Sequence, residues 1–381
     1  MTVVLKGSTQ PASARRFAKS AVPTIESQEL VLTLLSRRQE TANIVSFEFS
    51  VATSSGQPFR HHPGQAITVR VPLGEDEVIR TFTIASALVS PSMQNNRIVL
   101  TVKAGPNANA TAHMHAHWQV GDKVMGRGPF GHFSVVHHAK QPLLLVGAGS
   151  GLTPMLSILR WLHERQEHSV DVVLLQQAAT PEDILCQAEL AQIDVNMPNL
   201  VRIDRVTQVP AGQSWSGIRG AITRASLRSI VPDLAKRMVF CCGPAGFTDL
   251  IRAIHKAEGG EPERFLTESF GSQSQVVVKQ SLAQQDAGKI GLGESAFSIQ
   301  LDGMSFSSVA DESIVDSAAA SGIIIPTACR EGHCGTCKLK VIKGEVDMQH
   351  NGGLSAKEAA QGFILGCSSC AKTDLVLSRK F

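Results

Sequence analysis

Short apolar runs broken by turn residues occupy the first third of the chain: Ile44–Ser50, Ala66–Val71, Val78–Ile84 and Ile98–Val102, separated by Pro63-Gly64, Pro72-Leu-Gly74 and Pro106-Asn107. Runs of this length, bounded by Pro and Gly, predict a small antiparallel β-barrel over residues 29–138. The pattern then changes. Over residues 139–270 the expected order is strand Leu143–Val146, a helix after Thr153, strand Val170–Leu175, helix Pro181–Gln192, strand Leu200–Ile203, strand Met238–Cys242 and a helix from Pro244. Alternation of that kind predicts an α/β domain with a parallel sheet covered by helices on both faces. Residues 271–294 are rich in Gln, Ser, Ala and Gly and are expected to be a linker; residues 295–381 form a further domain, and 1–28 a disordered extension. The chain is therefore multidomain, as its 381 residues suggest.

The run from Gln141 to Leu159 carries no charge and is about long enough to span a bilayer. Its interior excludes that reading: a buried strand, a glycine turn at Gly147-Ala-Gly-Ser-Gly151, then Thr153 as N-cap with Pro154 at the first helical position. No membrane span is expected. Before Glu26 the chain holds Lys6, Arg15, Arg16 and Lys19 and no acid, a composition shared by transit peptides and by disordered N-termini. The net charge of +3 makes no electrostatic case for nucleic acid.

Chemistry concentrates near the end of the sequence. Cys329, Cys334, Cys337 and Cys367 have the spacing C-x4-C-x2-C with a fourth cysteine about thirty residues on, the plant-type 2Fe–2S pattern. Three thiolates must converge from one tight loop, and Gly332 and Gly335 relieve the crowding such a loop imposes. A zinc site would call for paired C-x2-4-C ligands, whereas Cys367 follows a helix-like stretch, Ser355–Gln361. Cys370 is the rival fourth ligand. The cluster suits a reducing compartment, and the expected location is the cytoplasm.

Gly147, Gly149 and Gly151 miss the G-x-G-x-x-G fingerprint by one residue. What they keep is a strand ending in glycines ahead of a helix N-terminus, an arrangement that favours a phosphate. Cys242-Gly243-Pro244 forms a second strand-end turn in the same domain.

Taken in order, these segments resemble the ferredoxin–NADP reductase superfamily in the version with a C-terminal ferredoxin domain, and the resemblance covers residues 29–381. Arg80-Thr81-Phe82-Thr83 resembles the flavin-binding R-x-Y-S/T; Gly147, Gly149, Gly151, Thr153 and Pro154 resemble the pyrophosphate loop; Cys242, Gly243 and Pro244 resemble the turn beside the nicotinamide. The resemblance implies a third domain of α+β (β-grasp) type. It implies a pyrophosphate ligand in Arg80, ring stacking by Phe82 and a hydroxyl near flavin N5 from Thr83. It also implies a further hydroxyl in Thr111, and a flavin–nicotinamide junction lined by Cys242, Glu268 and Phe270, with Thr83, Cys242 and Glu268 as catalytic residues. Two features depart from the family: Phe82 replaces its tyrosine, in a chain without any Tyr, and Asn107–Thr111 lacks the usual glycines. Gly128-Pro-Phe-Gly131 with Phe133 resembles the FAD branch, with FMN as the alternative. His113, His115 and His117 fall where relatives carry a helix and are read as ordinary polar residues rather than metal ligands.

A nicotinamide supplies two electrons together and a 2Fe–2S cluster accepts one, so a flavin must stand between them. The expected activity is an NADH:acceptor oxidoreductase using FAD and a 2Fe–2S cluster, with NADPH possible through Arg202 and Arg205. Its expected partner is a separate protein acceptor, a hybrid-cluster protein or a terminal oxygenase, docking around Arg330, Glu331 and His333. A redox-sensing module without turnover is the alternative.

Overall fold

The computed structural model describes residues 25–87 except 75, 96–105, 109–268 except 132 and 139, and 296–380 except 326, 328, 329, 331, 333, 334, 351, 352 and 355. In the first block lie β1 (Gln28–Thr41), β2 (Ile44–Thr53), β3 (Ala66–Leu73), β4 (Asp76–Thr83), β5 (Arg97–Lys103), α1 (Asn109–His117) and β6 (Lys123–Phe130). Among the described residues these strands form an antiparallel sheet of order β4-β3-β6-β1-β2-β5. A bridge from Ile84 to Leu100 joins its two edges and rolls it into a barrel. The core is filled by alternating inward residues, Leu30, Leu32 and Leu34 from β1 and Ile67, Val69 and Val71 from β3, with Phe47 and Phe49 edge-on to Trp118.

Two barrel strands are absent from the expected set. β1 breaks its own alternation with a register shift between Leu34 and Ser36, after which the polar run Ser36–Glu40 reads as loop. β6 contains Gly126, Gly128 and Pro129, which hide its strand pattern. The inward glycines are required by packing: a β-carbon on Gly128 would lie 2.5 Å from Ile67 Cγ2.

The second block contains β7 (Leu143–Ala148), α2 (Thr153–Glu164), β8 (Val172–Ala178), α3 (Gln187–Asn196), β9 (Leu200–Val206), β10 (Ile218–Arg219), α4 (Arg224–Ile230), β11 (Met238–Cys242), α5 (Ala245–Ala257) and β12 (Phe265–Glu268). The sheet order is β10-β9-β8-β7-β11-β12 and every pair is parallel. One core cluster joins α2 and α3 to one face, and another joins α4 and α5 to the opposite face. The uncharged run from Gln141 is explained by position. β7 lies inside the sheet and α2 is buried along most of its length, because it is pressed between the sheet and the barrel. No helix among the described residues is long and apolar enough to cross a membrane.

Two local expectations are corrected. The helix expected over Pro181–Gln192 is α3, beginning at Gln187. Ahead of it Asp183 accepts from the Thr180 backbone and hydroxyl, closing a single 3-10 turn, and Cys186 turns left-handed (φ 53°) before the helix can start. Thr153 is the first residue of α2 and not its N-cap; its hydroxyl donates to the Ser150 carbonyl at 2.7 Å.

The last block holds β13 (Ala296–Leu301), β14 (Met304–Val309), α6 (Ile314–Ala320), β15 (Lys338–Lys343), β16 (Val346–Met348), α7 (Ala356–Ala360), β17 (Phe363–Leu365), β18 (Ser369–Ala371) and β19 (Leu375–Ser378). Its mixed sheet runs β14-β13-β19-β15-β17, with β16 and β18 as a separate pair. α6, capped by the Ser313 hydroxyl on the Asp316 N–H, packs Ile314, Val315 and Ala318 into the core of this sheet.

Candidate flavin, nucleotide and cluster sites

The strand order of the parallel sheet reverses between β7 and β11, whose carboxyl ends open a crevice of the kind that receives ligands in doubly wound sheets. Gly147 at the end of β7 is in register with Cys242 at the end of β11. The three loop glycines have different reasons to be there. Gly149 takes φ +56° with nothing within 4 Å of a would-be β-carbon, which leaves open space over its backbone for a phosphate. A β-carbon on Gly147 would lie 2.7 Å from Leu152 Cα. One on Gly151 would lie 2.4 Å from the Cys242 carbonyl oxygen, and one on Gly243 would lie 3.0 Å from Ala148 Cβ. The shifted third glycine is thus a packing requirement, and the two turns recognised separately in the sequence are one structure. Thr153 and Pro154 anchor the loop from the buried start of α2, while Pro244 caps α5.

Across the crevice the barrel contributes β4. The Thr83 hydroxyl donates to Glu268 Oε2 at 2.9 Å, and both residues are buried. Glu268 is in register with Cys242 on the parallel pair β11–β12. Thr83, Glu268 and Cys242, far apart in sequence, are therefore brought to one place by a barrel strand and two sheet strands. Phe270 lies outside the described residues. Cys241, next to Cys242, faces the other core, where burial pushes its thiol up to about 12.

The remaining residues of the sequence motif fit a flavin nucleotide. Arg80 is only 6% exposed, has no carboxylate within ion-pair distance among the described residues, and donates only to the carbonyl of its neighbour Ile79. Burial pushes its pKa down. A buried guanidinium left so is costly unless an anion completes it, and a pyrophosphate would. The Thr81 hydroxyl is likewise buried without a partner. Phe82 packs partly on the barrel core, and Thr111 is buried in the first turn of α1. The His113 and His117 rings meet at a tilt of 39° with centroids 4.6 Å apart on that helix, and a His115 ring nitrogen lies 2.9 Å from the Val102 carbonyl.

Sequence reasoning missed the residues that fix barrel against sheet. Ser157 of α2 accepts from the Gly64 N–H at 3.1 Å and donates to the Ser86 carbonyl at 3.2 Å. Arg160, one turn on, donates to the Ala85 carbonyl at 2.7 Å while gripping both oxygens of Glu189 at 2.6 and 2.7 Å. No motif marks these positions, because Gly64, Ala85 and Ser86 lie in another domain. Arg202 and Arg205 are committed elsewhere. Arg202 is 2.5 Å from Asp204, and Arg205 is buried, donating to the carbonyls of Gly220 and Ala221.

In the last block Cys337 and Cys367 bring their sulfurs to 3.1 Å, and the Cys367 N–H points at Cys337 Sγ from 3.5 Å. Two converging sulfurs with an inward N–H suit iron–sulfur ligation. Gly332 and Gly335 both have positive φ, +72° and +73°, and a β-carbon on Gly332 would lie 2.7 Å from the hydroxyl of Ser368, next to Cys367. Cys329, Cys334, Glu331 and His333 lie outside the described residues. Cys370 faces different surroundings: burial together with the carboxylates of Asp311 and Asp347 pushes its thiol pKa up, which disfavours a ligating thiolate. Arg330 pairs with Asp316 within its own block.

Residues 31–135 match the oxidoreductase FAD-binding domain, 145–253 the oxidoreductase NAD-binding domain and 298–372 the 2Fe-2S iron-sulfur cluster binding domain. The chain is 33% identical to the glycine betaine monooxygenase reductase subunit of Chromohalobacter salexigens, over 89% of this chain and 92% of that protein. It is 32% identical to a stachydrine N-demethylase reductase subunit of Rhizobium meliloti, over 89% and 93%. Among solved structures it resembles phthalate dioxygenase reductase, described as a modular structure for electron transfer from pyridine nucleotides to 2Fe–2S. That likeness has a TM-score of 0.53 and 25% identity, over 92% of this chain and 98% of that one.

Proposed function

The chain belongs to the family of modular FAD- and 2Fe–2S-dependent reductases, and from that premise we propose that it takes electrons from NADH and passes them singly to a separate protein, the terminal oxygenase of a two-component system. The observation that carries the reading is the meeting of three chain segments at one crevice: Gly151 packed on the Cys242 carbonyl, and Thr83 bonded to Glu268 beside Cys242. FAD, when bound, supplies the exchange between a two-electron donor and a one-electron cluster. This chain's residues supply position. Arg80 neutralises the pyrophosphate, Phe82 offers a ring face, and the Gly147–Pro154 loop with Cys242, Gly243 and Pro244 holds the nucleotide against it. The Thr83 hydroxyl points its proton at Glu268 Oε2, so the buried carboxylate fixes the direction of the hydroxyl and leaves the Thr83 Oγ1 lone pairs free to accept.

Cys329, Cys334, Cys337 and Cys367 hold the cluster in this reading, with Cys370 outside it. NADH is the donor, since the guanidinium groups of Arg202 and Arg205 are spent inside the protein rather than held for a 2′-phosphate. The relatives named above serve enzymes acting on betaine-like compounds, and an oxygenase of that class is the proposed acceptor, working in the reducing cytoplasm. A hybrid-cluster protein is the second acceptor to be tried.

The test is anaerobic addition of NADH to the purified brown-yellow protein. Flavin and iron–sulfur absorption should bleach within seconds of adding stoichiometric NADH, NADPH should act more slowly, and adding an excess of oxidised betaine-type oxygenase component should restore the colour as its own centres take up the electrons. Failure to bleach with either nucleotide removes the reductase reading and leaves a redox-sensing module.

A further inference from the structure

Arg127 stands alone on β6 between two glycines, Gly126 and Gly128. A β-carbon on either would run into β3, at 2.9 Å from the Thr68 carbonyl oxygen and 2.5 Å from Ile67 Cγ2. These two positions face into the barrel, so Arg127 between them projects out of it. It is in register with Thr68 of β3, which is in turn in register with Thr81 in the Arg80–Thr83 segment. The guanidinium makes no hydrogen bond among the described residues. Among the described residues it pairs only with the carboxylate of Glu29, at a loose 3.9 Å, and the side chain is 32% exposed.

What it approaches belongs to another domain. Nη1 of Arg127 lies 3.7 Å from the point where a β-carbon on Gly335 would stand. Gly335 falls between Cys334 and Cys337 in the cluster loop and takes φ +73°, so the cation is set against bare backbone. We propose that Arg127 is a positioning residue that docks the cluster loop on the flavin barrel and, through its charge, favours the reduced cluster. The step it assists is the transfer of one electron from reduced flavin to oxidised cluster. No bond is made or broken in it, the flavin loses one electron, and the cluster gains one negative charge. A nearby cation stabilises that added charge, and at 32% exposure the side chain is only partly screened by water. This rests on the electron route proposed above.

The experiment is a redox titration of the full-length holoprotein with dithionite and mediators, reading the cluster by electron paramagnetic resonance and the flavin's own titration as internal reference. It needs no NADH, so it can fail independently of the reductase reading, which the bleaching test decides. Arg127→Glu should lower the reduced-to-oxidised ratio of the cluster at fixed potential by about tenfold, Arg127→Gln by less, and Arg127→Lys should hold it near wild type. A shift below twofold in Arg127→Glu overturns the proposal. So does an equal shift in the Lys and Glu variants, which would mark Arg127 as merely structural.

Discussion

The nicotinamide crevice and the cluster loop are built to different tolerances. In the crevice the partners come from two domains and are locked by buried, directed contacts: Ser157 to Gly64 and Ser86, Arg160 to Ala85 and Glu189, Thr83 to Glu268, and glycine backbones set against neighbouring strands. Among the described residues the cluster loop is tied within its own block through Gly332 against Ser368 and Cys367 against Cys337, and it approaches the barrel more loosely, at Arg127. The difference follows from the chemistry each must serve. Moving a hydrogen nucleus with its electrons demands placement to a fraction of an ångström, whereas moving an electron alone tolerates a gap.

The comparison is broken most completely at the cluster. Cys337→Ser should abolish the electron paramagnetic resonance signal of the reduced protein and lower cytochrome c reduction by about a hundredfold or more, with Cys370→Ser retaining both. Ferricyanide, small enough to reach the flavin, should still be reduced; cytochrome c reduction that survives would exclude the ferredoxin domain as the exit. On the other side, Gly151→Ala places a β-carbon 2.4 Å from the Cys242 carbonyl oxygen and must separate the loop from the turn. Flavin reduction by NADH in stopped flow should slow by about a hundredfold, the usual consequence of a misplacement near 1 Å, with the cluster signal intact. Thr83→Ala should slow the same step by ten- to a hundredfold, roughly 1.4–2.7 kcal/mol of barrier, at unchanged flavin content. A normal rate would remove the Thr83–Glu268 pair from the chemistry.

The smallest effect sharpens the contrast through pH. His61 is buried in the barrel with Nε2 unpartnered, and burial lowers its pKa from the usual 6.5 to about 4. The folded barrel therefore resists a proton that the unfolded chain takes up, so stability present above pH 6.5 is lost as the pH falls toward 4. Thermal melts should show a barrel-side loss of roughly 2 kcal/mol by about pH 4.5, with flavin released before the cluster, and His61→Gln should flatten that limb.

Residues whose chemistry is written in local spacing were legible in the sequence. The four cysteines, the Arg80–Thr83 segment and the glycine turn could be named because one short segment carries each pattern. What was hidden depended on partners far away. β6 was missing from the expected strands until Ile67 explained its glycines, and Gly151 looked like a flawed fingerprint until Cys242 explained its place. Glu268 carried no local signal beyond its family position; its bond to Thr83 spans 185 residues. Ser157 and Arg160 could not be separated by pattern from the other residues of an amphipathic helix.

The paired cysteines at the end of β11 turn the nucleotide sheet into its own clock. Cys241 and Cys242 point into opposite cores and are fully buried; burial pushes the thiols of Cys241 and Cys186 up to about 12, so these two present almost no thiolate to an alkylating reagent at neutral pH. Labelling at Cys241 and Cys242 can proceed only when the sheet opens, and at Cys186 only when the turn ahead of α3 opens, so the rates count those openings one molecule at a time. Mass spectrometry after timed alkylation, with half-exposed Cys370 as the fast reference, would record how much a bound nucleotide quiets the domain that holds it.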